Sequence, residues 1–70
     1  MAYYGKRDEL IYKRKVALLS QNAVAAQLGI SQAMYSNIEN GYCLPTDDVH
    51  DKLIAMFDLK EDYFSKKEEE

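Results

Sequence analysis

One cysteine, one proline and three glycines among 70 residues leave this chain few of the residues that staple, break or loosen a fold. With Cys43 alone no intramolecular disulfide can form, which suits a reducing compartment, and a cytoplasmic location is the expectation. A metal site would have to be assembled from His50 and scattered carboxylates. Cys43 reads instead as a small, semi-buried thiol, and neither metal nor cofactor is expected. No apolar run is long enough to cross a bilayer, and no signal peptide, repeat or second domain is expected. Catalysis has equally little to draw on. It would need a nucleophile with its base, a paired-carboxylate cleft or a ligand cluster, whereas His50 stands alone on an acidic segment and Cys43 is seven residues from it. There is no glycine-rich phosphate loop either, so the chain does not read as an enzyme.

Charge is scarce where it would matter most for a polyanionic partner. The formal net charge is −3, and residues 58–70 hold six acids against three lysines, so the tail carries all of it and residues 1–57 are neutral. Within that neutral part Lys6, Arg7, Lys13, Arg14 and Lys15 outnumber Asp8 and Glu9, which makes the amino-terminal segment basic. At this length one domain with a modest core is expected, and a compact helical bundle is the natural solution.

What is present is a helical pattern concentrated between Ser20 and Pro45. Val24, Ala25 and Leu28 fall on one helical stripe behind Ser20, whose hydroxyl can cap the first turn at Gln21. Gly29 follows Leu28 where a helix ends in the left-handed region, Ile30 plugs the turn, and Ser31 caps a second helix from Gln32 to Glu39 that stops at Asn40-Gly41. Ile38 faces inward with either Met34 or Tyr35, leaving Gln32, Ala33, Ser36 and Asn37 outward. Ala25 lets two steeply crossed helices approach closely.

At these residues the chain resembles the helix-turn-helix family of the phage repressor and Cro type, often called XRE-like. The resemblance rests on Gln21, Ala25, Leu28-Gly29-Ile30, Ile38-Glu39-Asn40-Gly41 and Pro45, together with Arg14 and Glu39 at the positions of the family's arginine and its acidic partner. It extends from about Leu10 to Phe64. It implies an all-α, five-helix, lambda-repressor-like DNA-binding domain, with Arg14 and Glu39 forming a structural ion pair. Gln32, Ala33 and Asn37 are the implied base contacts, since asparagine and glutamine match the edge of adenine and the Ala33 methyl can meet a thymine methyl. Gln21, Ser31, Ser36, Tyr42 and Lys13 are the expected phosphate contacts.

Around this motif residues 1–7 are expected to form a flexible arm, residues 8–65 the domain and residues 66–70 a charged, disordered tail. The first helix is expected over residues 8–19, with Leu10, Ile11, Ala17 and Leu18 inward. The family often has a glycine before its second helix; Leu18-Leu19 stands there, so either a tighter corner or a longer first helix is expected. Thr46 caps a fourth helix whose inner face is Val49, Leu53, Ile54, Met56 and Phe57, and Leu59–Phe64 reads as a short fifth. The expected function is a sequence-specific regulator of transcription, a repressor, acting as a homodimer on a palindromic operator in double-stranded DNA. The dimer interface is expected on helices four and five, around Leu59, Tyr63 or Phe64. The alternative is a module that keeps the fold but binds a protein, as an adapter or antitoxin-like partner, because the loop Tyr42-Cys43-Leu44 lacks the basic residues common there.

Overall fold

The computed structural model describes residues 5–64, and the expectations for residues 1–4 and for the tail at 66–70 lie outside them. Four helices follow one another: α1 (Asp8–Val16), α2 (Gln21–Leu28), α3 (Gln32–Glu39) and α4 (Asp47–Phe57), with no strand among the described residues. Three start on a hydroxyl. Ser20 Oγ accepts from the Ala23 N–H at 3.0 Å, Ser31 Oγ from Met34 at 3.1 Å and Thr46 Oγ1 from Val49 at 3.4 Å. The fourth, α1, begins after Arg7, which offers no side-chain cap. There the Tyr63 hydroxyl accepts from the Leu10 N–H at 3.0 Å, so a residue 53 positions away supplies the missing partner.

All four helices end by the same device. Leu18 (φ 63°), Gly29 (φ 77°), Gly41 (φ 83°) and Asp58 (φ 54°) each take the left-handed conformation. The next residue in each case returns its N–H to a carbonyl five positions back: Leu19 to Arg14, Ile30 to Ala25, Tyr42 to Asn37 and Leu59 to Ile54. At α4 the last carbonyls gain a cation as well. Lys13 Nζ donates to the carbonyls of Phe57 at 3.2 Å and Asp58 at 3.1 Å, where the helix dipole favours positive charge.

The corner after α1 differs from both expectations. The helix is shorter than residues 8–19, and the corner is not tightened by packing: Leu18 turns the chain in the left-handed region and points its side chain outward, 90% exposed. Ala17 is exposed too, so the inward stripe of α1 reduces to Leu10 with Ile11 half-buried. The reason is local. Once Leu18 adopts positive φ to close the helix, its Cβ is carried away from the core, and Leu19 packs inward in its place. A left-handed leucine costs about 1 kcal/mol more than a glycine. Leu18→Gly should therefore raise stability by about that amount, read as a higher denaturant midpoint; an unchanged or lower midpoint would show that the leucine makes a stabilising contact in solution.

The core is Leu10, Val24, Ala25, Leu28, Tyr35, Ile38, Val49, Leu53, Phe57, Leu59 and Phe64. Leu59 and Phe64 are buried within the protomer and the Tyr63 hydroxyl is taken by α1, so the dimer surface expected there is already part of the fold. The fifth helix is a single turn at residues 61–64, closed by Tyr63 N–H to the Lys60 carbonyl at 2.9 Å. So short a segment gains one hydrogen bond for several fixed dihedrals, and side-chain anchoring holds it instead.

Arg7, the last residue of the expected arm, is anchored to the domain. Arg7 donates its backbone N–H to the Glu39 carbonyl at 2.8 Å, its guanidinium lies 5.0 Å from the Phe64 ring centroid and 5.9 Å from that of Tyr63, and the residue is buried. Sequence reading missed this because a basic residue immediately before a helix looks solvated; the aromatic pair that receives it is more than fifty positions away.

Candidate nucleic-acid interface

Along α3 the side chains divide cleanly. Tyr35, Ile38 and Glu39, spaced i, i+3, i+4, are buried; Gln32, Ala33, Met34 and Asn37 are exposed and Ser36 is half-buried. Tyr35 thus takes the inward slot and Met34 the outer face. Glu39 decides this: a carboxylate drawn inward fixes the phase of the helix, and position 35 lies one turn before it on the same side.

What draws Glu39 inward is Arg14. Arg14 Nε donates to Glu39 Oε2 at 2.5 Å and Nη2 to Oε1 at 3.3 Å, a two-point pairing between α1 and α3, while Nη1 donates to the Leu19 carbonyl at 2.9 Å. The two side chains are 10% and 2% exposed. Burial alone would push the Glu39 carboxyl up, but hydrogen bonding from Arg14, with Tyr35 and Gln21 adding to it, outweighs burial and holds it below its ordinary value. The Arg14 guanidinium is correspondingly pushed up, first by its hydrogen bond to Glu39. The Tyr35 hydroxyl sits beside the pair, and burial first, then its interaction with the Glu39 carboxylate, keeps it protonated well above the usual tyrosine range.

From this buried pair a polar chain leads to the surface. Gln21 Nε2 donates to Glu39 Oε1 at 2.9 Å, and Gln32 Nε2 reaches Gln21 Oε1 at 3.5 Å. The orientation is dictated chemically, since only the NH2 end of the Gln21 amide can face a carboxylate and its oxygen must then face Gln32. Gln32 is exposed and keeps its own amide oxygen and one N–H beyond this contact, an acceptor and a donor on one side chain. Gln21 keeps one further amide N–H at the start of α2, where the first backbone N–H groups lack helical acceptors. Ser31 accepts from Met34 N–H and keeps its hydroxyl proton for another acceptor, Ser36 Oγ accepts from Asn40 Nδ2 at 3.4 Å, and Tyr42 is exposed in the turn after α3.

The α2–turn–α3 unit therefore presents a slim helix with short polar groups at its amino end, braced from behind by a second helix, and the helix-turn-helix family model matches the chain over residues 10–64. The chain belongs to the helix-turn-helix family. It is of the XRE-like kind, a family of DNA-binding regulators. Neither a curated protein nor a solved structure matches the chain.

Of the residues expected at the interface of this helix-turn-helix domain, the structure brings together Gln21 and Gln32 by a direct hydrogen bond and sets Ser31, Ala33, Ser36 and Asn37 on the same short element. Lys13 is placed otherwise. Its ammonium is engaged by the α4 carbonyls and by Glu9 at 3.4 Å, so it closes a helix end inside the domain. The outward Met34 is the residue that periodicity left undecided; the identity of Glu39 as the partner of Arg14 was the signal that would have settled it. Among the described residues no cluster of His, Cys, Asp and Glu could hold a metal ion, and no helix is long and apolar enough to cross a membrane. His50 is engaged on α4, with Nε2 3.2 Å from the Glu61 carbonyl and its ring edge-on to Phe64 at 5.8 Å.

Proposed function

We propose that this protein is a sequence-specific repressor that binds a palindromic operator in double-stranded DNA as a homodimer, inserting α3 into the major groove. The observation that carries the reading is the Gln32–Gln21–Glu39–Arg14 chain, which ties the exposed Gln32 to the buried ion pair and leaves it an amide acceptor and a donor to spare. Adenine offers N7 as acceptor and N6 as donor on its major-groove edge, and a glutamine amide meets both at once. In this reading Gln32 and Asn37 discriminate bases and the Ala33 methyl packs on a thymine methyl. Gln21, Ser31, Ser36 and Tyr42 hold the backbone phosphates. With Arg7 and Lys13 engaged within the fold, few cations remain for phosphates, so the slope of log affinity against log salt should be shallow, about that of one to two phosphates per protomer.

Selection of bound duplexes from a random pool at low salt tests the reading, followed by titration of the selected duplex with variants. Gln32→Ala and Asn37→Ala should each lose about 1 to 3 kcal/mol per half-site on the selected sequence and leave binding to random sequence unchanged. If no duplex is enriched, or if both variants bind the selected site like the parent, readout by α3 is refuted. In that case the second reading, a module that binds protein, takes its place.

A further inference from the structure

Among the described residues five large apolar side chains are exposed, and three of them, Tyr12, Val16 and Leu18, lie on α1 or its end. Tyr12 is 67% and Val16 63% exposed. Helical spacing puts Asp8, Glu9, Tyr12, Lys15 and Val16 on one stripe, at i, i+1, i+4, i+7 and i+8, and all five are exposed. Leu10 and Arg14, on the other side, are buried. A helix of nine residues thus carries one face turned to the core and one apolar-centred face that nothing in the protomer covers.

The uncovered stripe is ordered by charge. Acid stands at its amino end, Lys15 and Val16 at its carboxyl end and Tyr12 at its centre, so turned end for end the stripe sets Glu9 against Lys15 and Asp8 against Val16, one charge match on either side of Tyr12. Glu9 precedes Tyr12 by three positions and Lys15 follows it by three; with a two-fold axis at Tyr12, Glu9 of each copy meets Lys15 of the other. The antiparallel arrangement also sets opposite helix-dipole ends side by side. Moving the axis toward Val16, so that Tyr12 and Val16 pair directly, sets Lys13 against Lys15 and loses both acid–base matches.

We infer that a second copy of this chain covers this face, α1 packing antiparallel on α1 about a two-fold axis at Tyr12, with Glu9 opposite Lys15 on either side. The inference rests on the dimer of the proposed function and not on its recognition of DNA, so the test contains no DNA. One helix pair buries less than the roughly 1,200 Å² typical of stable complexes, and a Kd of about 0.1 mM is expected.

Sedimentation equilibrium of the full chain, up to about 1 mM, reads the association. The parent should dimerise, and Tyr12→Glu and Val16→Glu should weaken the dimer at least about tenfold while leaving the unfolding midpoint in place, because neither side chain enters the core. Glu9→Lys and Lys15→Glu should each weaken self-association, and an equimolar mixture of these two variants should recover a heterodimer, since both cross-pairs are again complementary. A parent that stays monomeric at the highest concentration overturns the inference and leaves the face to a different protein. Undiminished dimerisation of Tyr12→Glu overturns the surface, and a mixture that associates no better than its components overturns the antiparallel register. Failure to select a DNA duplex would move none of these results.

Discussion

Arg14→Met should lower the free energy of unfolding by about 3 to 5 kcal/mol, a large share of the stability of a domain of this size. The loss comes less from the missing attraction than from what stays behind, a Glu39 carboxylate 2% exposed and stripped of its two-point donor. Replacing both partners by apolar residues should recover much of the loss, because no buried charge then remains. The pH dependence gives an independent signature. In the parent the Glu39 carboxyl is held below its ordinary value of 4.5. Its contribution is therefore fully present above pH 4.5 and is lost as pH falls from there through the folded value. Without Arg14 burial becomes the dominant influence and raises the folded value above the unfolded one. The Arg14→Met variant should then gain relative stability as pH falls toward 4.5, opposite in sign to the parent. Urea midpoints of both proteins between pH 4 and 7 check this, and parallel curves would mean that the pair is not the support described above.

Gly41→Ala should be the next most damaging change, at about 3 kcal/mol, with Gly29→Ala as its control. Both glycines have positive φ, 83° and 77°, so alanine strains the backbone at either site by about 1 kcal/mol. Only at Gly41 is the space also taken. A Cβ there would lie 2.1 Å from the Gly5 carbonyl oxygen and 2.8 Å from the Gly5 nitrogen, whereas at Gly29 nothing lies within 4 Å. The segment at Gly5–Arg7 must then lift away, and with it the Arg7 N–H bond to the Glu39 carbonyl and the stacking of Arg7 over Phe64. Equal midpoints for the two alanine variants would show that the segment yields at no energetic penalty. Hydrogen exchange at the Arg7 amide locates the effect, since it should quicken in Gly41→Ala and hold steady in Gly29→Ala.

Much of this fold could be read before any coordinates, because the determining signals are local. Ser20, Ser31 and Thr46 were legible as caps, Gly29 and Asn40-Gly41 as helix ends, and Val24, Ala25, Leu28, Ile38, Leu53 and Phe57 as core, since each depends on neighbours within a turn or two. The α3 face was legible for the same reason. What was not legible depends on distant or conformationally unusual partners. Arg7 is buried because Tyr63 and Phe64 fold back over it, Tyr63 serves α1 instead of a fifth helix or a second protomer, and Lys13 finds its acceptors at the end of α4. Leu18 was misplaced because periodicity assumes helical φ, and one residue at φ 63° turns an inward position outward. The Tyr35 and Met34 ambiguity lay between the two: both positions share a face with Ile38, and only the long-range pairing of Glu39 separates them.

The division of α3 bears on how a lineage of such proteins can change its target. Tyr35, Ile38 and Glu39 hold the bundle together, while Ala33 and Asn37 make no side-chain hydrogen bond in the fold and Gln32 touches it only through the 3.5 Å link to Gln21. Substitutions at 32, 33 and 37 therefore act on the outward face with little consequence for folding, and those at 35, 38 and 39 do the reverse. Two kinds of selection thus fall on interleaved positions of one eight-residue helix. If α3 reads DNA as proposed, single substitutions on this face change the sequence read while each leaves a folded protein. Gln21 is the exception, because it touches both Glu39 and Gln32, and a change there alters the support and the outward face together.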